Sequence, residues 1–439
     1  MEQGGAYTSL LQRGGATDSD SRLVTRLVTG TTVWRLNLDA VIAGLDPSLP
    51  KLDDTVRNVL RVALFELLHS GTAPHAAVDA AVTATRALGK ASAAGLVNAL
   101  LRKAQRQRDA GTLRVPVAQP TDGAPQLSVA YSMPEWLVSR WLGAFGRVAA
   151  EQLLLASNRD APAYGVRACG NAGSGGPSLV EALTAMGVAA TASSLLPRLF
   201  ARVDGTLAPL MPHLRSGTYA IQDEAAGLVV MLLAHDILPG RETRLADVCA
   251  APGGKALFSA ALGAHVTAVE VNPGRARLLR EAAEAQGVGS RVEVHVADAR
   301  SWAVERVDIH RSFHIVLVDA PCTGTGVMAK RADMRWRRTA DDITAAAHLQ
   351  LELLTASSLL VAPGGCLVYS TCSLEAEENQ GVVTAFLASL QGEGFSLQPA
   401  GDVAAIPAQA LSPDRRFLAP LPHVTGTDGA FGARLVRTR

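Results

Sequence analysis

The residues with the most chemical capacity lie in three short strings. Asp319-Ala320-Pro321-Cys322-Thr323-Gly324-Thr325-Gly326 places an acid and a thiol at the end of a β-branched apolar run. That run, residues 315–318, reads as a strand buried on both faces, and Pro321 ends its pairing. Tyr369-Ser370-Thr371-Cys372-Ser373 puts a second thiol at the end of another apolar run. Asp247-Val248-Cys249-Ala250-Ala251-Pro252-Gly253-Gly254-Lys255 follows a third. Its small residues let backbone N–H groups approach a ligand, and the helix that starts there offers its positive end. A cysteine alone reads as a small buried hydrophobe. An acid and a thiol at the carboxyl end of a parallel strand sit where open α/β sheets bind ligands.

The glycine string fits neither the Walker phosphate loop, Gly-x4-Gly-Lys-Ser/Thr, nor the dinucleotide Gly-x-Gly-x-x-Gly. Glu270 closes the next run, about twenty residues on, where a carboxylate accepts from ribose hydroxyls. Asp298 closes the one after it, placed to receive an adenine amino group. With Asp319 these acids outline a nucleoside-shaped pocket. Without a phosphate loop, the expected nucleoside is S-adenosylmethionine. The expected contacts are Cys249, Ala250, Ala251, Pro252, Gly253, Gly254, Lys255, Glu270, Arg275, Asp298 and Asp319.

A thiol beside a methyl donor suits alkylation of cytosine C5. That carbon is a weak nucleophile until a thiolate adds to C6 and makes the ring an enamine. The donor methyl must then lie in line with C5. A thiol of ordinary pKa, ~8.5, is only slightly ionised at neutral pH. A nearby cation such as Lys255 would raise that fraction, and Asp319, when protonated or linked through water, could hydrogen-bond cytosine N3 and take up charge developing on the ring. The residues alone leave open whether Cys322 or Cys372 attacks. Zinc would need more ligands near the two thiols, so no metal is expected. A disulfide is not expected in a reducing cytosol.

Five apolar runs, 244–249, 265–269, 292–297, 313–318 and 366–369, alternate with helical patterns over residues 215–439. That rhythm predicts a doubly wound, Rossmann-like parallel sheet. The runs 244–249, 313–318 and 366–369 are expected as neighbours, with both thiols facing one pocket. Residues 131–214 read as a small α+β unit, with a helix opened by Ser132 and Pro134 and a Gly-rich turn at 170–176. Residues 111–130 read as a linker. Residues 1–110 read as an all-helical bundle, with helices at 18–34, 37–44, 54–67, 75–88 and 91–105. Asp53 or Asp54 caps the third, and His69 and His75 read as surface or capping residues. Arg86, Lys90, Arg102, Lys103, Arg106 and Arg108 form either a solvated face or a phosphate-contacting patch. The string Lys330-Arg331-Ala332-Asp333-Met334-Arg335-Trp336-Arg337-Arg338 is the best candidate RNA surface.

The totals agree with a globular, core-forming chain of two or three domains. The chain has 439 residues, 48% hydrophobic and 18% charged, and a formal net charge of +1, so any polyanion surface must be local. Five scattered cysteines give no disulfide framework. Residues 1–20 carry no secretory pattern, and the apolar run 225–234 is too short to span a bilayer, so a cytoplasmic protein is expected.

The three strings, with Glu375-x-Glu377-Glu378-Asn379 after the last, resemble the RNA cytosine-C5 methyltransferases. Val56-Arg57-Asn58-Val59-Leu60-Arg61-Val62-Ala63 and Val97-Asn98-Ala99-Leu100-Leu101-Arg102 resemble the NusB-like RNA-binding domain, with only residues 6–12 left for its first helix. Together they make the chain similar to the Sun/Fmu (RsmB-like) branch acting on small-subunit ribosomal RNA. The resemblance implies that Cys372 is the nucleophile and that Cys322 helps release the product. It implies RNA as partner, no membrane and a monomer without an obligate protein partner. The family reads Arg-x-Asn against RNA where this chain has Arg167-Ala168-Cys169. The tail, Pro422 to Leu435, reads as a closing β-hairpin. The rivals are the same chemistry on transfer RNA and a non-catalytic RNA-binding or assembly factor.

Overall fold

The computed structural model describes residues 18–49, 52–160, 163–169, 178–238 and 240–438. The expected helix at residues 6–12 and the turn at 170–176 lie outside the described residues. The chain divides into two compact units: Met1–Asp160 with Met328–Arg337, and Ala161–Val327 with Arg338–Arg439.

The first unit is helical. Its helices are Asp18–Val33, Arg35–Leu45, Asp54–Phe65, Pro74–Ala87, Ala94–Asp109, Ala124–Tyr131 and Glu135–Ser157. Asp53 accepts from the N–H groups of Thr55 and Val56, which fixes the start of the third. Val56, Val59, Leu60, Ala63 and Leu64 recur on one face and are buried against Leu38, Val41, Val78 and Leu101. His69 is not a surface residue: its ring stacks on Trp34 at 4.8 Å and on Phe65 at 5.4 Å, and burial lowers its pKa. Ser132 does not open the helix that follows it. It turns left-handed (φ 50°) to end Ala124–Tyr131, and its hydroxyl accepts from the Leu36 N–H at 2.9 Å. Four of the basic residues are bonded internally: Lys90 to Asp53, Arg102 to Asp79, Lys103 to the Leu45 carbonyl and Arg108 to the Leu67 carbonyl.

The 330–338 string departs from the expected open RNA patch at its centre, while Arg331 and Arg337 on either side remain exposed. Arg335 is 1% exposed and donates to Asn158 Oδ1 at 2.6 Å, the Ser157 carbonyl at 2.8 Å and the Ser132 carbonyl at 3.5 Å. Burial pushes its pKa down to about 9. Trp336 Nε1 donates to the Thr32 carbonyl at 2.6 Å, and the Arg35 guanidinium lies 5.6 Å from its ring. Met328 and Ala332 are buried on the same strap. The central cation is therefore engaged within this unit, and the half-buried Trp336 is anchored through its Nε1.

The second unit holds two sheets. The smaller, in the order β2-β3-β1-β4, comprises β1 (Tyr164–Ala168), β2 (Ala190–Ala192), β3 (Phe200–Val203) and β4 (Tyr219–Ile221), and all its pairings are antiparallel. Arg167 is buried rather than presented to RNA. It donates to Gln222 Oε1 at 2.7 Å, Gln286 Oε1 at 3.1 Å and Cys169 Sγ at 3.3 Å, with Phe258 under its guanidinium at 4.9 Å. Gln286 and Phe258 tie the small sheet to the helices Pro273–Ala285 and Gly254–Ala261.

The large sheet has the order β10-β11-β9-β8-β5-β6-β7. Its strands are β5 (Arg244–Asp247), β6 (His265–Glu270), β7 (Val292–Val296), β8 (Phe313–Asp319), β9 (Val361–Thr371), β10 (Phe395–Gln398) and β11 (Phe431–Arg437). β9, β8, β5, β6 and β7 are parallel, and β11 runs antiparallel between β9 and β10. Leu245, Ile315, Leu317 and Val368 enter one core with Leu228, Leu257 and Leu279 from the helices on that face. Ala246, Val316, Val318 and Tyr369 enter a second core with Trp302, Leu354 and Phe386 on the other. The sheet is therefore doubly wound, as expected, and its winding reverses between β5 and β8. The tail is not a hairpin with itself: Pro422–Thr425 is a helical turn, and β11 pairs with β10 and β9.

Candidate active site

The reversal opens a crevice at the carboxyl ends of β5 and β8, and β9 stands beside β8. Asp247, Asp319 and Thr371 end these three strands. The strings that follow each strand therefore meet in one place. The register pairs Asp319 with Ser370, which sets the Cys322 and Cys372 loops side by side. Cys322 Sγ and Cys372 Sγ are 3.2 Å apart. Gly326 completes the approach: its N–H donates to the Cys372 carbonyl at 2.9 Å, and a Cβ there would lie 2.8 Å from that oxygen.

The two thiols are not equivalent. The hydrogen bond from Cys322 lowers the pKa of Cys372, and the Lys255 ammonium lowers it further, against burial and the Asp319 carboxylate. The same bond raises Cys322 well above an ordinary thiol, together with burial and the charges of Cys372 and Glu378. Of this coupled pair, Cys372 is therefore the thiol more readily ionised. Lys255 Nζ donates to Asp319 Oδ2 at 2.6 Å, and Ser370 Oγ donates to Asp319 Oδ1 at 2.7 Å. Cys249 lies apart from this pair, and burial, then the Asp247 carboxylate, push its thiol up into an inert range.

The glycine string forms the expected strand-to-helix turn. Gly253 has φ 107° and precedes the helix Gly254–Ala261, and a Cβ on it would strike Leu279 Cδ1 at 2.3 Å. The Ala251–Pro252 peptide is cis. Glu270 is buried and accepts from the N–H groups of Ala251 (3.3 Å) and Asn272 (2.9 Å). Arg275 donates to the Ala251 carbonyl and reaches Glu270 Oε1 at 3.7 Å. Asp298 lies two residues beyond β7, caps the helix Ala299–Glu305 and is forked by Arg300 at 2.7 and 3.1 Å. The string thus brings Cys249 to Lys255, Glu270, Arg275 and Asp319 to one end of the sheet, with Asp298 at its flank.

Two orphaned polar groups test whether this end of the sheet fits S-adenosylmethionine. Asp247 is 1% exposed, and neither carboxylate oxygen meets a donor at bonding geometry. Burial, then repulsion from Asp319, raise its pKa to about 7. Gln222 Nε2 is likewise buried without a partner, and the Gln222 amide lies 3.5 Å from where a Gly254 Cβ would stand. An unpaired carboxylate and an unpaired amide donor beside a helix N-terminus suit a ligand with cationic and polar groups. A sulfonium with an amino acid tail and a ribose is such a ligand.

Three buried residues escape a reading of the sequence. Glu378, 0% exposed, accepts from Thr323 N at 2.9 Å, Gln350 Nε2 at 2.9 Å, Ser373 Oγ at 2.6 Å and the Thr323 hydroxyl. Asn379 accepts from Thr371 Oγ1 at 2.6 Å and donates to the Ser373 carbonyl at 2.9 Å. Gln350 donates to the Pro321 carbonyl at 2.9 Å and accepts from the Tyr369 hydroxyl at 3.1 Å. Glu378 and Asn379 belong to a string visible in the sequence, but nothing in it says which way they point. Gln350 sits in the helix Ala340–Ser358 with no local signal. Among the described residues no group of three or more His, Cys, Asp or Glu side chains could hold a metal ion, and no helix is long and apolar enough to cross a membrane.

Comparison with known proteins agrees with this geometry. Residues 234–436 match the family model "16S rRNA methyltransferase RsmB/F", and residues 4–106 match the NusB family. The chain is similar to the probable ribosomal RNA small subunit methyltransferase B of Bacillus subtilis, 30% identical over 98% of this chain and 95% of the relative. It is also similar to ribosomal RNA small subunit methyltransferase B of Xylella fastidiosa, 34% identical over 88% of this chain and 84% of that one. Among solved structures, PH0851 superposes with a TM-score of 0.75 at 25% identity, over 97% of this chain and 92% of that one. A methyltransferase homologue from Pyrococcus horikoshii shares the fold over 73% of this chain and all of its own, with a TM-score of 0.57 and 24% identity. The chain belongs to the RsmB/F family of 16S rRNA methyltransferases and is an S-adenosylmethionine-dependent RNA methyltransferase.

Proposed function

We propose that this enzyme methylates C5 of a cytosine in small-subunit ribosomal RNA through a covalent adduct between Cys372 and C6. The observation that carries the reading is the Cys322–Cys372 pair, 3.2 Å apart. It lies beside a Lys255–Asp319 ion pair, at the end of a sheet fitted to hold a methyl donor. Bound S-adenosylmethionine supplies an electrophilic methyl group. Cys372 thiolate forms a bond to C6, and the C5=C6 electrons pass to C5, which would take the methyl group as the S–CH3 bond breaks and its electron pair stays on the leaving thioether. A base then removes the C5 proton, the C5=C6 bond re-forms and the C6–S bond breaks, returning the thiolate. Cys322, held protonated, stands close enough to that sulfur to stabilise the departing thiolate by its S–H.

Lys255 supports the thiolate electrostatically, and Asp319, fixed by Lys255 and Ser370, presents its carboxylate to the target base. Glu270 and Arg275 hold the Ala251 turn that receives the nucleoside. Ribosomal rather than transfer RNA is favoured by the family model matched over the catalytic residues and by the NusB match at the other end of the chain.

The test is bisulfite sequencing of total RNA from cells with and without this gene. Loss of one protected cytosine in small-subunit RNA supports the reading. Loss only in transfer RNA keeps the chemistry and overturns the substrate. No change in any RNA while the protein is expressed overturns both and favours an RNA-binding factor.

A further inference from the structure

We infer that Glu378 is a positioning residue that sets the two cysteines against each other and keeps Cys322 in its thiol form, so that Cys372 alone attacks. The inference rests on the covalent reading above and extends it to a residue that touches neither substrate nor cofactor.

The argument starts from an imbalance. Glu378 is a fully buried carboxylate, and none of its four hydrogen-bond partners is a cation. It is the acceptor in all four bonds, the pattern of an ionised carboxylate. Burying such a charge is costly unless hydrogen bonds compensate it. A glutamine or an apolar side chain would fill the space at lower cost, so the charge needs a purpose.

Its partners suggest that purpose. Thr323 follows Cys322 directly, and Ser373 follows Cys372 directly. One carboxylate oxygen binds both hydroxyls, and the other binds the Thr323 N–H and Gln350. Gln350 in turn holds the Pro321 carbonyl, just before Cys322. Glu378 is therefore a clasp across the two loops that bear the thiols. The Thr323–Ser373 hydroxyl contact at 3.3 Å lies inside it.

Charge completes the picture. Lys255 lies on the Cys372 side and favours an anion there, whereas Glu378 opposes one on Cys322. The other ionisable or charged groups packed around Glu378 do not reverse this. The Tyr369 hydroxyl donates to the Glu378 carbonyl oxygen at 2.5 Å, and Arg338 donates to the Thr323 carbonyl at 3.1 Å rather than to the carboxylate. Asp319 faces Lys255.

The experiment uses full-length protein. Each cysteine's rate of alkylation by iodoacetamide is followed against pH by peptide mass spectrometry, alongside kcat and KM for methyl transfer. In the parent, Cys372 should react at lower pH than Cys322. In Glu378→Gln, which keeps shape and removes charge, the Cys322 profile should move down by roughly one pH unit. In the same variant kcat should fall about tenfold or more with KM for S-adenosylmethionine unchanged. A merely structural role would lower the melting temperature and leave the Cys322 profile in place, which overturns the inference. Should Glu378→Gln not fold, Thr323→Val removes one bond of the clasp and keeps the charge. It should lower kcat severalfold with the Cys322 profile still above that of Cys372, and unchanged kcat overturns the clasp. A parent enzyme that forms no 5-methylcytosine marks failure of the covalent reading itself. A working parent with an indifferent Glu378→Gln marks failure of this inference alone.

Discussion

Cys322 Sγ lies 3.2 Å from Cys372 Sγ although 50 residues separate them in the chain. The pairing of Asp319 with Ser370 in adjacent parallel strands makes that proximity unavoidable. The two substitutions should therefore give opposite phenotypes. Cys372→Ala should abolish methyl transfer to RNA. Cys322→Ala should instead accumulate a protein–RNA adduct that survives denaturing electrophoresis, because attack proceeds and release fails. An active Cys372→Ala enzyme would refute the assignment of the nucleophile.

The acidity of Cys372 has two sources, the Cys322 hydrogen bond first and Lys255 after it. A thiol whose pKa is lowered in the folded protein is ionised from a lower pH upward. Lys255→Met should then shift the rising limb of the kcat–pH profile upward by roughly one unit. Alkylation of Cys372 in the same variant should show the same displacement. A limb that stays in place would separate Lys255 from the thiolate.

Asp247 has the reverse sign. Its ordinary pKa is near 3.9, and in the fold it is raised to about 7 by burial and by Asp319. Between those values the folded state holds a proton that the unfolded state has released, so its contribution to stability falls as pH rises across that window. Asp247→Asn should flatten this part of the stability–pH curve, measured by denaturant unfolding. Stabilisation by S-adenosylmethionine should be larger at pH 8 than at pH 6 in the parent, since the cationic ligand meets an ionised carboxylate only above about 7.

Gly253 tests the turn. A side chain at φ 107° is strained, and its Cβ would lie 2.3 Å from Leu279 Cδ1. Gly253→Ala should cost about 1–3 kcal/mol of stability and weaken S-adenosylmethionine binding, both measurable by thermal unfolding with and without ligand.

Much of this site was legible in the sequence because its parts are strand endings. A buried parallel strand announces itself by an apolar run, and the residues just beyond it must lie at one edge of the sheet. Hence Glu270, Asp319, Cys322 and Cys372 could be gathered from the sequence alone, whereas Asp247 stood there only as the first residue of its string. Asp298 was less well placed, because β7 stops at Val296 and the acid serves as a helix cap held by Arg300. The clasp at Glu378 was illegible for another reason. Its partners, Thr323, Ser373 and Gln350, come from separate elements, and the direction of a side chain in an irregular turn has no periodicity to betray it. The basic string misled at Arg335, and the family's Arg-x-Asn pattern at Arg167. Both are instead consumed by internal carbonyl, amide and aromatic partners.

The strap at Met328–Arg337 also has a consequence for how this protein can be divided. The chain enters the first unit, leaves it at Asp160, and returns for ten residues before finishing in the second. A fragment begun at Ala161 would keep Arg335 and Trp336 but lack Ser132, Ser157, Asn158 and Thr32, the groups that accept their protons. It would carry a guanidinium and an indole stripped of those acceptors. The two halves are thus not beads on a string that recombination could exchange by a single cut. Swapping either one requires moving the strap with its socket, so this gene inherits its two units as a pair.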